Sequence, residues 1–239
     1  MTLWKPHRVN EICIEMTKSE IKLPAPKAII FDWDNTLVDT WATIHDAMNT
    51  TLSHFGNETW TLHEARQKVR KSMRDSFPTL FGKRWHEAAE IFYDRYNTIH
   101  MKRLKTLEGA EDMLRSLHSE GIYLAIVSNK LGEYLRLEAK HLGWDAYLKN
   151  LVGASDALND KPADDPIHMA LSGSGIKAGG DVWFVGDADI DLECGSNAGC
   201  IPVLIREENP NPGEFDAHPP ACHVKNNKEF KELVYNSLD

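Results

Sequence analysis

Five apolar runs limit what this chain can fold into more than any other feature. They are Ala28-Ile29-Ile30-Phe31, Ile122–Val127, Leu151–Ala154, Val182–Val185 and Ile201–Ile205. Each is apolar at successive positions, whereas a strand with one wet face alternates, so each run reads as a strand covered on both faces. Helical patterns lie between them. Glu111–Leu117 stops at Gly121, Leu131–Leu142 stops at Gly143, and Pro166–Leu171 is a shorter candidate. A glycine just past the last periodic residue is a common helix end. Strand and helix alternate, which defines an α/β chain with a mainly parallel sheet.

Residues 40–106 break that rhythm. The patterns predict helices only, at Trp41–Phe55, Leu62–Arg74 and Lys83–Leu104, with turns at Gly56-Asn57 and Phe81-Gly82. A helical insertion between the first and second strands is the simplest account. Residues 1–26 lack periodicity and end in Leu23-Pro24-Ala25-Pro26, which reads as an extended lead-in. The expected division is therefore an extension at 1–26, a core at 27–39 and 107–239, and a helical insertion at 40–106. Near the end, Glu207–Pro220 holds four prolines and reads as a loop, followed by a short strand at Cys222-His223-Val224 and a closing helix at Glu229–Tyr235.

Bulk properties narrow the partners. The chain has 239 residues, enough for a sizeable core, and a formal net charge of −9. An acidic balance argues against nucleic acid or an anionic membrane, both of which need a basic face. No stretch approaches the ~20 apolar residues of a membrane span, and no signal peptide is visible. Cys13, Cys194, Cys200 and Cys222 lack the paired spacing of a zinc site. Reduced thiols in a cytoplasmic protein are expected; oligomeric state stays open.

Polar residues of a particular kind follow the apolar runs. The first run is followed by Asp32 and Asp34, the second by Ser128-Asn129-Lys130, the third at a distance by Lys161-Pro162, and the fourth by Gly186-Asp187 and then Asp191. Ligands of open parallel sheets bind beyond the carboxyl ends of the strands, where these clusters would converge. Carboxylates at i and i+2 of an extended segment point the same way. Such a pair needs a shared proton, a bound cation or divided chemical labour. Four aspartates together call for a hard divalent cation, and Mg²⁺ is the usual one beside phosphate. A metal-held carboxylate stays ionised and can attack phosphorus. Ser128 and Lys161 offer a hydroxyl and a cation to phosphoryl oxygens. A second carboxyl can protonate a leaving oxygen and then deprotonate water.

This quartet resembles the haloacid dehalogenase superfamily, most of whose members are phosphatases. Asp32-Trp33-Asp34-Asn35-Thr36-Leu37 is similar to its first motif, D-x-D-x-T-L; Ser128, Lys161-Pro162 and Gly186-Asp187 with Asp191 resemble the second, third and fourth. The likeness runs from about Lys27 to the closing helix. It implies a Rossmann-like core with an inserted all-helical cap, placed as in phosphoglycolate phosphatase-like enzymes. It implies Asp32 as the nucleophile, Asp34 as the acid/base with its backbone carbonyl on Mg²⁺, and Asp187 and Asp191 as metal residues. Ser128, Asn129 and Lys161 would hold the phosphate of a small phosphorylated metabolite. A phosphomutase, a phosphonatase using Lys68 or Lys71, and a catalytically silent phosphate-binding protein are the alternatives on the same core. A dehalogenase lacks the second carboxylate, and a receiver-type signalling module has no use for one at +2.

The insertion is less informative. Arg66, Lys68, Arg70, Lys71 and Arg74 read as a solvated basic face, with Arg70 or Arg74 as the candidates to reach substrate. Trp41 and His45 open the first inserted helix and could face the site; a helix-surface or packing role is expected of His45, packing of Cys194, and solvation of Asp189.

Overall fold

The computed structural model describes residues 23–238. Most of the 1–26 extension, and Cys13 with it, lies outside the described residues. Six strands form one parallel sheet in the order β3-β2-β1-β4-β5-β6. They are β1 (Ala28–Phe31), β2 (Tyr123–Leu131), β3 (Asn150–Ala154), β4 (Val182–Gly186), β5 (Ile201–Ile205) and β6 (Cys222–Val224). Strand order reverses beside β1, which pairs with β2 on one side and β4 on the other. A doubly wound sheet opens its binding crevice at such a point.

The unbroken apolar runs have a simple cause. Ile29 and Phe31 pack into the cluster under α5 (Ala110–Ser119), α6 (Gly132–His141) and α9 (Asn227–Leu238). Ala28 and Ile30 pack into the opposite cluster, under α7 (Asp165–Ala170) and α8 (Asp189–Asn197). Successive side chains point to opposite faces. With helices on both faces, every β1 position is fully buried.

Between β1 and α5 come four α-helices, with a 3-10 turn at Gly82–Arg84 before the last: α1 (Trp41–His54), α2 (Leu62–Lys68), α3 (Met73–Phe81) and α4 (Trp85–Arg103). They share their own apolar cluster, including Ala47, Leu52, Phe77, Phe81 and Phe92, joined by Leu131 and Tyr134 from the core. The expected single helix over Leu62–Arg74 is two. Thr61 and Glu64 cap α2 reciprocally, and Val69 is extended at ψ 91°. Ser72 then takes an N-cap backbone, and its hydroxyl donates to Asp75 Oδ2 at 3.0 Å. The basic run suits a helix, so periodicity alone did not disclose this break. It is also at the break that Val69, Arg70 and Lys71 line the cavity described below. Strand β2 extends past the expected end at Val127 to Leu131, its pairing with β3 shifting between Val127 and Leu131.

Candidate active site

The first cluster owes its shape to a tight turn at the end of β1. The Asp32 N–H still donates to Val185 O at 2.8 Å, tying it to β4. The N–H groups of Leu37 and Val38 then donate back to Trp33 O, and Asn35 N–H donates to Val38 O. Asn35 sits at φ 64°, a left-handed conformation that asparagine tolerates better than most residues. Asp32 is thereby buried at the sheet edge and Asp34 is left partly accessible.

Lys161 comes to Asp32 from 129 residues away. Its Nζ donates to Asp32 Oδ1 at 2.6 Å and to Asp191 Oδ1 at 2.7 Å. Carboxylate oxygens of Asp32, Asp187 and Asp191 lie within 4.8 Å of one another. Burial, opposed by Lys161 and aided by Asp191 and Asp34, pushes the Asp32 carboxyl up to about 7. Burial and the charges of Asp191 and Asp32 likewise push Asp187 well above the usual carboxylate range. Burial alone would pull Lys161 down; the charges of Asp191 and Asp32 outweigh it and hold its ammonium charged. Three carboxylates against one ammonium leave negative charge over, so the donor set fits a hard cation with oxygen ligands. The Asp34 carboxylate is turned elsewhere, as described below.

Asp191 is held close by a missing side chain. Its Oδ2 accepts the Ala188 N–H at 3.0 Å. A Cβ on Gly186 would collide with the Asp191 Cγ and Oδ2. Gly186→Ala is therefore expected to displace Asp191, weakening divalent-cation binding by about tenfold or more. Isothermal titration with Mg²⁺ checks this; an unchanged affinity would show that Asp191 has slack.

Ser128 and Asn129 reach the same place differently. Ser128 is buried, its Oγ accepts the Lys130 N–H at 3.2 Å, and it lines the cavity over Asp32. Asn129 also lines that cavity, but its amide clamps the Lys161 backbone: Oδ1 accepts Lys161 N–H at 3.1 Å, and Nδ2 donates to Lys161 O at 3.2 Å and Arg70 O at 3.4 Å.

Lys130, which closes the Ser128-Asn129-Lys130 cluster, takes a role that its position in the sequence does not disclose. Its Nζ donates at 2.6 Å to both Asp34 Oδ1 and Glu138 Oε2, and its side chain is 5% exposed. Glu138, with no side-chain exposure, also accepts from Trp33 Nε1 at 2.8 Å and Tyr96 OH at 3.0 Å, and pairs with His100 Nδ1 at 3.0 Å. Burial pushes Glu138 up, but Lys130, Trp33 and His100 together hold it below its ordinary value. Burial pulls Lys130 down, and Asp34, Tyr96 and Glu138 outweigh it. The available signal was Glu138 itself, an acid on the face of α6 that buries Leu135 and Ala139. Tyr96 and His100, at i and i+4 of α4, lie on one face and bring the insertion to the same carboxylate.

The basic residues of the insertion divide. Arg74 is committed: Nε and Nη2 each donate at 2.6 Å to Asp160, which also accepts the Ser155 N–H. It ties α3 to the loop after β3 and is not a free substrate ligand. Arg70 lies 3.4 Å from Asp189, so Asp189, although exposed, faces the insertion as well as solvent. Lys68 pairs with Glu64 at 3.7 Å and lies over the Trp60 ring; Lys71 is exposed. His45 pairs with Trp60 O and Asn49 inside the insertion, a packing role as expected. Cys194 is buried and donates to Ala163 O, also as expected.

The fold agrees with the comparisons. The model of the haloacid dehalogenase-like hydrolases matches residues 29–205, and the chain belongs to that family. It is 28% identical over 177 residues to the pyrophosphatase PpaX of Halalkalibacterium halodurans, covering 74% of this chain and 82% of that protein. It is 30% identical over 182 residues to a phosphoglycolate phosphatase of Xanthomonas campestris pv. campestris, with the same shares. Among solved structures, a HAD-superfamily hydrolase from Ehrlichia chaffeensis is 28% identical at a TM-score of 0.63, covering 91% of this chain and all of that one. A haloacid dehalogenase-like hydrolase from Bacteroides fragilis shares the fold at a TM-score of 0.77 and 18% identity, over 84% of this chain and 97% of that one. The protein is thus an enzyme of the hydrolase class. No helix among the described residues is long and apolar enough to cross a membrane.

Proposed function

We propose that this protein is a Mg²⁺-dependent phosphatase that hydrolyses a small phosphate monoester in the cytoplasm through an aspartyl-phosphate on Asp32. The observation that carries the reading is Asp32 itself: a buried carboxylate at the switch point of the sheet, paired with Lys161 and grouped with Asp187 and Asp191. Phosphate-ester and phosphoanhydride chemistry in the named relatives supports it.

Asp32, Asp187 and the backbone carbonyl of Asp34 would hold the Mg²⁺, with Asp191 in support, and the ion would offset phosphoryl charge there. An Asp32 oxygen attacks phosphorus and the bond to the ester oxygen breaks. Asp34 gives its proton to that leaving oxygen. A water, deprotonated by Asp34, then attacks the same phosphorus; the bond to Asp32 breaks and inorganic phosphate leaves. Lys161 and the Ser128 hydroxyl hold the phosphoryl oxygens where charge collects. Asn129 fixes the Lys161 backbone.

A panel of phosphate monoesters assayed with Mg²⁺ and with EDTA tests the reading. Release of phosphate that EDTA abolishes is the expected result; no turnover of any member would sink it. The raised Asp32 carboxyl adds a second check on the EDTA-treated protein. A carboxyl raised in the folded state contributes stability that is complete below about pH 4 and lost as pH rises through about 7. Above that pH the crowded charges await a cation. The Mg²⁺-induced rise in Tm is therefore expected to be larger at pH 8 than at pH 5; equal shifts would contradict the cation site.

A further inference from the structure

A cavity of about 150 Å³ runs from the Asp32 carboxylate up into the helical insertion. Its floor is polar and belongs to the site already described. Its upper wall is not polar: Trp41 and Ile44 of α1, Met73 and Phe77 of α3, Tyr93 of α4 and Tyr134 of α6 line it. Tyr93 and Tyr134 stack there with ring centroids 5.2 Å apart. Burial raises the Tyr93 phenol, which keeps it a neutral hydroxyl.

The cations near this wall sit at its floor and at its rim. Lys161 is held between Asp32 and Asp191, and Lys130 between Asp34 and Glu138. The other cations lining the cavity, Lys68, Arg70 and Lys71, lie on α2 and the break after it. Lys68 and Arg70 are 45% and 36% exposed and lie near Glu64 and Asp189, and Lys71 is exposed. That is a positive rim in an acidic protein, suited to drawing in a phosphate dianion. A carboxylate or second phosphate carried past that rim, against Trp41, Ile44 and Phe77, would lose its hydration to a wall that offers no charge of its own.

Resting on the phosphatase reading above, we infer that the preferred substrate is the monoester of an uncharged, largely apolar alcohol about one ring in size. This differs from what the named relatives' substrates, phosphoglycolate and pyrophosphate, would present to the same wall. The cavity of about 150 Å³ spans the polar floor as well as this wall, so with a phosphoryl group on the floor the space above takes a group no larger than one ring. The tyrosine hydroxyls can accept one neutral polar substituent.

The test compares kcat/KM with Mg²⁺ for benzyl, cyclohexylmethyl and ethyl phosphates, phosphoglycolate and pyrophosphate. The first three have similar alkoxide leaving groups, so differences among them report the wall rather than the chemistry. Both ring esters are expected to exceed ethyl phosphate and phosphoglycolate by about ten- to a hundredfold, the discrimination that burial of one ring supports. Ile44→Arg, checked for folding by its thermal melt, is expected to erase most of that preference and to raise phosphoglycolate relative to benzyl phosphate. Phosphoglycolate or pyrophosphate used as well as the ring esters by the wild-type enzyme would overturn the inference while leaving the phosphatase reading intact. A flat ranking would do the same. No turnover of any monoester would instead remove the reading on which the inference rests.

Discussion

Asp32→Asn is expected to lower turnover by about 10⁴-fold or more while leaving the protein folded. The amide keeps the shape of the carboxylate but has no lone pair basic enough to attack phosphorus, so no aspartyl-phosphate can form. The fold should survive because Asp32 is one of three crowded carboxylates. Its burial and its repulsion by Asp191 raise its carboxyl, so the ionised group opposes folding at neutral pH. Lys161 keeps Asp191 as a partner at 2.7 Å after the change. In EDTA at pH 8 the variant is expected to melt no lower than wild type. Steady-state phosphate release, acid-quench mass spectrometry for phosphorylated Asp32, and a thermal melt together check this. Residual activity within about tenfold of wild type would exclude Asp32 as the nucleophile.

Lys130→Met should be costly in two ways that can be separated. The ammonium is the only full positive charge bonded to both Asp34 and Glu138 in the described network; His100 joins it as a charge only if protonated. Without it Glu138 remains fully buried, with the indole of Trp33, the hydroxyl of Tyr96 and the His100 ring as partners. Breaking a buried pair by removing one partner costs about 3–5 kcal/mol, because the other charge stays behind. Turnover should fall as well, because Asp34 loses the contact that orients it. The fall should be larger for alkyl esters, whose leaving oxygen needs a proton, than for p-nitrophenyl phosphate, whose leaving group does not. Adding Glu138→Gln should recover much of the stability by removing the stranded charge, yet leave Asp34 unheld and alkyl-ester turnover low. Denaturant melts and paired kcat measurements read the two effects. If the double variant regained both stability and alkyl-ester turnover, Lys130 would be a structural residue only.

Much of the site was legible in the sequence, and the reason is geometric. Each strand of a parallel sheet delivers its next residues to the same edge, so Asp32, Ser128 and Asp187 could be gathered from strand ends alone. Lys161 was harder: it follows β3 by several residues, and its place depends on the clamp by Asn129. Lys130 stands in the second cluster without a role of its own and Glu138 stands in none, because a lysine beyond a strand and an acid on a helix look like ordinary surface residues. Only the burial of α6 against the sheet, with α4 laid over it, turns them into a paired charge beneath Asp34. Arg74 moves the other way: in sequence it is part of a solvated basic face and a candidate to reach substrate, and in the structure it is spent on Asp160.

The sequence by itself determined the parallel sheet, the run of helices after the first strand, and the aspartates, serine and lysine of the candidate site. These follow from local chemistry and from rules that act along the chain: apolar runs with two covered faces, and polar residues at strand ends. Tertiary structure alone decided which charges meet, and what the insertion holds over Asp32. Pairing such as Lys130 with Asp34 spans 96 positions. The aromatic wall draws on α1, α3, α4 and α6 at once. No period or spacing encodes such meetings, since they depend on how helices already buried by their own apolar faces come to rest against one another.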